Sequence, residues 1–173
     1  MPTHAFSRCY ALSSIDFLSS CYTNIVSLPS YAFSYCQGIK TLSSIPARVK
    51  TLGNNCFYYC TGLTGTQDLR STGLTSLYNS RVFANCTNVK EWMLPTSFGA
   101  YFGNYAFSNN TTLSAITLPS TLTAVAAYCF SNNRALNHIT IPSKVVALND
   151  YSFFNCYMLS SVNYTTSALT AVN

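Results

Sequence analysis

Large apolar residues recur at a fixed interval in the C-terminal half of this sequence. The segment 113–130 reads LSAITLPSTLTAVAAYCF, and the segment 136–153 reads LNHITIPSKVVALNDYSF. Six large apolar residues and one proline of the first segment each have a counterpart 23 residues later in the second. Repetition with a period of about 20–50 residues is typical of solenoids, whose repeats stack and share one core. The pattern therefore predicts a repeat array.

Short alternating runs within each repeat predict strands joined by turns. The runs 116–118 and 139–141 alternate apolar and polar residues, which is typical of a strand with one buried face. A proline follows each run and ends the strand, because proline cannot donate a hydrogen bond to a ladder. The next apolar pair, Leu122 and Val125 in one repeat, predicts a second extended segment. The residues around the following phenylalanine predict a short helical turn.

One phenylalanine anchors each of seven repeats, which are 23 to 27 residues apart: Phe6, Phe33, Phe57, Phe83, Phe107, Phe130 and Phe153. The first repeat begins inside its unit, and the third, across 64–80, fits the pattern worst. Stacked coils of this kind form parallel sheets with a rise of about 4.8 Å per coil. We therefore expect residues 1–173 to form one mainly β domain, a solenoid of about seven coils with parallel sheets and short helical turns.

The repeat pattern L-x-x-I-x-L-P-x-x-L-x-x-V-x-x-x-x-F-x-x-[CN] resembles the BspA-like, treponemal-type leucine-rich repeat. The resemblance covers nearly the whole chain and is strongest across 113–153. It implies a right-handed leucine-rich-repeat solenoid and the roles common in that family at microbial surfaces, namely adhesion, host-protein binding and coaggregation. Related arrays occur in protist and phage proteins. Because function depends on sites placed on a fold, the resemblance names no ligand.

Charged residues make up only 8% of the chain, against roughly 25% in typical soluble domains. The net charge of +5 comes from basic residues scattered singly, so we expect no nucleic-acid partner, which would need clustered cations. No apolar run approaches the ~18 residues of a membrane-spanning helix. The N-terminal residues MPTHAFSRCYALSS show no signal-peptide pattern. A surface of Ser, Thr, Asn and Tyr favours an extracellular or cell-surface location or, alternatively, a virion.

Repeat register explains seven of the eight cysteines. The position three residues after the anchor holds Cys or Asn in every repeat: Cys9, Cys36, Cys60, Cys86, Asn110, Asn133 and Cys156. Cys56 and Cys129 replace the small residue before the anchor. This register predicts buried free thiols in an internal ladder that bonds to the turn backbone, with no disulfide and no metal site. Cys21 alone lies outside the register and is predicted to be exposed.

The ionisable residues form no recognisable catalytic constellation. The four acidic residues lie in different repeats, and the two histidines, His4 and His138, are 134 residues apart. The seven glycines do not form a phosphate-binding loop. We therefore expect a protein that is not an enzyme and that needs no cofactor.

Two surfaces are candidate binding sites. The position two residues before the anchor holds tyrosine in four repeats, Tyr31, Tyr105, Tyr128 and Tyr151. Tyrosine among Ser and Asn gives large contact areas at a low entropy cost. The alternative is that stacked tyrosine rings only cover neighbouring coils. The second candidate is the outward face of the first sheet, which holds Met93, Thr117, His138 and Thr140.

These features predict a non-enzymatic protein-binding or adhesion module of a microbial surface protein, with a protein or glycan as its ligand. The alternative is a structural component, for example of a virion, that packs against copies or partner chains. The array begins with a half coil at Phe6 and ends on Leu169 and Val172 at core positions. Because uncapped repeats expose strand edges, we expect end-to-end self-association or a partner chain at the ends.

Overall fold

The computed structural model describes residues 1–96 and 98–165 together with the backbone of 171–172. Its regular elements are short: α1 (Phe17–Ser20), β1 (Ser27–Leu28), β2 (Thr51–Leu52), β3 (Gly65–Asp68), β4 (Val89–Met93), β5 (Ala115–Ile116), β6 (Ala124–Val125), β7 (His138–Ile141), β8 (Ala147–Leu148), β9 (Ser161–Tyr164) and β10 (Ala171–Val172). Every pairing between these strands is parallel.

The strands follow two lines along the solenoid. One line contains β3, β4 and β5 and then the pair β7 and β9. The other contains β1 with β2 and, further along, β6, β8 and β10, with single bridges such as Leu77 to Phe102 between them. The expected mainly β solenoid with parallel sheets is thus confirmed. It makes about six turns, because the first anchor lies in a partial coil that precedes β1.

The seven anchor phenylalanines stack in one continuous column inside the solenoid. Neighbouring ring centroids are 5.4–5.9 Å apart, and neighbouring ring planes are tilted by 6–27°. The five inner rings, from Phe33 to Phe130, are fully buried, whereas Phe6 and Phe153 at the two ends are half-buried. Each inner ring contacts a ring on either side, so the column joins every coil to the next.

The turn around each anchor is not the expected helical turn. The residues two before and two after each anchor have left-handed backbones, with φ between 55° and 63° at fourteen non-glycine positions. In the six turns from Phe6 to Phe130, the amides of these residues and of the anchor donate to carbonyls of the next coil, as from Phe33 to Cys56 at 2.9 Å. The intervening amides donate within the turn, as from Ser34 to Tyr31. A helix would use all these amides locally and leave none to join the coils.

A buried glutamine completes the third repeat, which fits the sequence pattern worst. Gln67 occupies the inward position of β3, where Trp92 and Ile116 lie in the next coils. Its Oε1 accepts a hydrogen bond from the Leu42 amide at 3.1 Å, and its Nε2 donates to the Lys40 carbonyl at 3.1 Å. The side chain thereby makes the hydrogen bonds that a neighbouring strand would otherwise offer to residues 40–42.

The first insertion forms α1, which packs against the partial first coil. The Phe17 ring lies 5.0 Å from the Phe6 ring, and Leu18 is buried. Arg48 Nη2 donates hydrogen bonds to the Leu18 carbonyl at 2.6 Å and to the Tyr22 carbonyl at 3.0 Å. Arg48 thus holds the C-terminal end of this short helix against the second coil.

At the other end, Leu169 lies outside the described residues. For Val172 the structure gives the backbone, which pairs with Leu148. Among the described residues, none of the helical segments has the length and hydrophobicity of a membrane span.

The position three residues after each anchor forms a ladder inside the solenoid. Four thiols donate to the carbonyl of the anchor in the preceding coil, at 3.0–3.4 Å: Cys36, Cys60, Cys86 and Cys156. Asn110 Nδ2 makes the same contact with the Phe83 carbonyl at 3.0 Å, and Asn133 Oδ1 accepts a hydrogen bond from the Asn110 amide at 2.8 Å. Cysteine and Asn110 thus make the same bond to an anchor carbonyl, whereas the Asn133 side chain joins the ladder as an acceptor.

Cys9 departs from the expected buried ladder. It is exposed, and no carbonyl of the described residues accepts a hydrogen bond from its thiol. Cys156 in the last anchored coil is half-buried. Cys21, outside the repeat register, is exposed, and all eight cysteines are free.

Native thiol titration should therefore modify two cysteines rapidly, Cys9 and Cys21, one more than the register alone predicts. The other thiols are shielded by packing, and burial raises the pKa of Cys36 and Cys60, which lowers their thiolate fraction. Mass spectrometry after brief iodoacetamide treatment identifies the labelled sites, and denatured protein serves as the control for full labelling. Rapid native labelling of Cys60 or Cys86 would contradict the buried ladder.

Candidate functional site

The turns present three parallel rows of side chains on one side of the solenoid, which we call the turn face. The first row lies two residues before each anchor, the second one residue after it, and the third two residues after it. The first and third rows have the left-handed backbones described above, and their side chains are mostly exposed or half-buried. The turn-face backbone is fixed by hydrogen bonds between coils, so these side chains project from a rigid base.

Three tyrosines of the first row form a continuous stack, the tyrosine column. Tyr105 and Tyr128 have ring centroids 4.6 Å apart, and Tyr128 and Tyr151 have ring centroids 4.8 Å apart. The Arg81 guanidinium extends the stack, because its central carbon lies 4.3 Å from the Tyr105 ring centroid. The column therefore offers an aromatic edge across four successive coils.

The structure separates Tyr31 from this column. Its ring stacks instead on His4 of the first coil, with centroids 4.4 Å apart and planes 8° from parallel. Asn55 occupies the first row in the coil that follows, so the aromatic stack stops there. The four predicted tyrosines thus belong to two segments of the turn face rather than to one stripe.

The second and third rows change character along the solenoid. The second row holds small residues except at two places, Tyr58 and Phe154. The third row begins with Arg8, Tyr35 and Tyr59 and continues with four asparagines. The first coils of the turn face therefore combine arginine, tyrosine and serine. In the later coils, the first row consists of tyrosines and the third row of asparagines.

The sheet face, the outward face of the first line of strands, holds a concavity of about 410 Å³. It lies beside β5 and β7, which are not paired with each other among the described strands. Thr117, His138 and Thr140 line it, so the structure brings three of the four sheet-face candidates together. Met93 lies outside it, at the end of β4.

Two of the four acidic side chains, Asp68 and Glu91, bond to neighbouring polar side chains. Arg70 Nη2 lies 2.7 Å from Asp68 Oδ2, and hydrogen bonding to Arg70 lowers the pKa of Asp68 to about 2. Glu91 Oε2 accepts a hydrogen bond from the Thr66 hydroxyl at 3.1 Å. Within the described residues, no group of three or more His, Cys, Asp or Glu side chains could hold a metal ion.

Sequence reasoning found the first row but missed the left-handed backbone and the place of Arg8 in the third row. A signal was present, since Asn85, Asn109, Asn132 and Asn155 recur two residues after their anchors. Asparagine is enriched several-fold in the left-handed region. That recurrence predicts a left-handed turn residue at the position that Arg8 fills in the first coil.

The chain shares its fold with solved leucine-rich repeat proteins. A protein from Bacteroides ovatus is 20% identical with a TM-score of 0.62, and the match covers 86% of this chain and 43% of that one. A leucine rich cell surface protein from Faecalibacterium prausnitzii is 17% identical with a TM-score of 0.55, covering 95% and 69%. The Treponema pallidum leucine-rich repeat protein is 15% identical with a TM-score of 0.50, covering 80% and 69%.

This chain thus spans less than half the length of the Bacteroides ovatus protein. No curated protein sequence matches it significantly. The family model of the BspA type leucine-rich repeat region does match, with six copies over residues 1–98 and 78–173. The matched ranges overlap and together include the whole sequence. The chain therefore belongs to the BspA-type leucine-rich repeat family.

Proposed function

We propose that this chain is a non-catalytic binding module that acts at a microbial cell surface and presents its turn face to a protein or glycan partner. The observation that carries the proposal is the tyrosine column of Tyr105, Tyr128 and Tyr151, which stack outside the core on a hydrogen-bonded backbone. Aromatic side chains that are already ordered lose little entropy when a partner binds.

Two further observations support this proposal. The family is built on a solenoid scaffold typical of non-enzymatic binding proteins, and one similar structure is that of a leucine rich cell surface protein. The acidic residues Asp68 and Glu91 already bond to neighbouring side chains. A binding role uses what the turn face offers, namely phenol, amide and guanidinium groups.

Replacing Tyr105, Tyr128 and Tyr151 together by asparagine should weaken partner binding at least about tenfold, because large anchoring aromatics often contribute about 2 kcal/mol or more each. Asparagine preserves the left-handed backbone, as Asn55 does at the same position. Binding is measured on an array of purified extracellular-matrix proteins and neutral glycans.

The matched control replaces Thr117 and Thr140 on the sheet face by serine and should bind like the wild type. Circular dichroism and the melting temperature verify that both variants keep their fold. If the tyrosine variant binds normally and the sheet-face variant does not, the site lies beside β5 and β7 instead.

A further inference from the structure

We propose that the first four coils of the turn face bind the carboxylate of an acidic saccharide. The site is an open groove of about 700 Å³, which we call the arginine groove. One side of the groove is lined by first-row residues, namely His4, Tyr31, Asn55 and Arg81. The other side is lined by the third-row residues Arg8 and Tyr35. This inference deepens the proposed function, on which it rests, by naming a ligand class for the part of the turn face that lacks the tyrosine column.

Serines form the floor of the groove, and a tyrosine closes it. Ser7 and Ser34 hold the second-row position in the first two coils, and their hydroxyl oxygens are 2.7 Å apart. Tyr58 fills the same position in the third coil, where its ring contacts Tyr35 at a centroid distance of 5.4 Å. The floor therefore offers hydroxyl groups over two coils and ends at an aromatic wall.

The two arginines give the groove a positive charge that no acid in it neutralises. The Arg8 guanidinium lies over the Tyr35 ring at 5.6 Å, and the Arg81 guanidinium lies over the Tyr105 ring at 4.3 Å. Aromatic contacts orient a guanidinium and leave its N–H groups available for a carboxylate. No acidic side chain lines the groove, and the ion pair found within the described residues joins Arg70 and Asp68 elsewhere.

Asn55 adds an amide group that a ligand in the groove can reach. The residue is mostly buried and lines the groove, and its side-chain amide makes no hydrogen bond within the described residues. Asn55 also interrupts the aromatic stack, so the Tyr31 ring has an aromatic neighbour on the His4 side alone. The hydroxyls of a sugar bound in the groove would bond to this amide.

The backbone of the groove favours a saccharide over a peptide. A peptide bound in extended form pairs its main chain with free amides and carbonyls. The amides of Tyr31, Phe33 and Tyr35 already donate to the next coil, and those of Ala32 and Ser34 donate within the turn. Recognition must therefore use side chains, here hydroxyl, amide, phenol and guanidinium groups. Two arginines are also far fewer than the phosphate contacts of typical nucleic-acid binders, about 6–10.

The test is isothermal titration calorimetry of the full chain with four probes: 3′-sialyllactose, a hyaluronan tetrasaccharide, lactose and poly-L-glutamate. The first two carry a carboxylate as a sialic acid and as a uronic acid, so their comparison identifies the source of the acid. We expect at least one of them to bind at least about tenfold more tightly than lactose, because charge-assisted hydrogen bonds contribute that much. The affinity should fall as salt concentration rises.

Variants locate the site. Arg81→Gln should weaken the acidic saccharide at least about tenfold, and Asn55→Asp should abolish its binding by placing a second carboxylate in the groove. Asp is one of the residues enriched in the left-handed region, and Gln is unbranched at Cβ like the Arg81 that it replaces. Arg134→Gln is the matched control, because Arg134 lies over a tyrosine, Tyr157, at 5.9 Å but outside the groove. It should bind like the wild type, and melting temperatures verify the fold of all three.

Three results would overturn the proposal: no binding of either acidic saccharide, equal affinity for lactose or poly-L-glutamate, or unchanged affinity in Arg81→Gln and Asn55→Asp. The first result would leave the proposed function testable through the tyrosine column, because its readout is the matrix-protein and neutral-glycan array. Loss of array binding in the asparagine triple variant, with no acidic saccharide bound, would retain the proposed function and reject the arginine groove.

Discussion

Replacing Phe130 by alanine is expected to destabilise the protein by about 3–5 kcal/mol, the usual cost of removing a buried aromatic ring from a packed core. Phe130 is fully buried between Phe107 and Phe153, with ring centroids 5.6 and 5.4 Å away. The substitution would leave a cavity in the middle of the phenylalanine column. Equilibrium unfolding in urea, followed by circular dichroism, measures the change from the shift of the midpoint.

Phe6→Ala is the internal comparison. Phe6 is half-buried and stacks on one anchor, Phe33, with α1 on one side, so less apolar surface is lost. We expect its loss of stability to be clearly smaller than that of Phe130→Ala. Equal losses at the two positions would show that the first coil is covered as completely as the middle of the column.

Alkaline pH is expected to unfold the protein, because the solenoid encloses thiols that must ionise when they are released. Burial raises the pKa of Cys36 and Cys156 to about 11 and that of Cys86 to about 12, from an ordinary value of 9.0. Below pH 9 these thiols are protonated in both states, so their contribution is fully present. As pH rises through 9 to 12, the unfolded thiols ionise first, and folding loses free energy.

The expected loss for Cys86 alone is on the order of 4 kcal/mol above pH 12, at about 1.4 kcal/mol per unit of pKa shift. Total stabilities of single domains are about 5–15 kcal/mol, so several such thiols together should suffice for unfolding. The measurement is the urea midpoint of unfolding at pH values from 7 to 12 with a reducing agent present. The midpoint should fall as the pH rises above 9.

Cys86→Ala separates this effect from general alkaline denaturation. The variant should be less stable than the wild type at pH 7, yet its stability should fall less steeply between pH 9 and 12. Cys21→Ala, at an exposed thiol, should keep the wild-type pH dependence. A wild-type midpoint that stays constant up to pH 12 would contradict the role of the buried thiols.

The spacing of the repeats is enough to predict which residues lie in the interior of this protein, because buried positions must carry similar side chains in every coil. The anchor phenylalanines, the ladder beside them and the parallel strands all follow from side chains that must face one another in successive coils. Burial leaves little freedom at these positions, so a pattern in one chain suffices. The third repeat escaped this reasoning, because Gln67 keeps the interior satisfied through hydrogen bonds rather than through an apolar side chain.

The turn conformation and the arginine groove could not be predicted in the same way. Tyrosine and asparagine were recognised as a contact-rich composition, while the backbone that alternates between left-handed and other conformations was not. The groove depends on single departures from the repeat, with Asn55 in a mainly aromatic row and Tyr58 in a row of small residues. Such departures become visible as a site when the coils are stacked.

At the fourteen left-handed positions, the backbone belongs to the scaffold while the side chain is presented on the turn face. Hydrogen bonds to the next coil fix the backbone at twelve of these positions, and the left-handed conformation excludes proline and disfavours β-branched side chains. The residues found there are six tyrosines, five asparagines, two arginines and one histidine, none of them β-branched. Two surface residues on every coil can thus change without altering the packing of the core. Related proteins can therefore diversify this surface, and extend it by adding whole coils, while they keep the same fold.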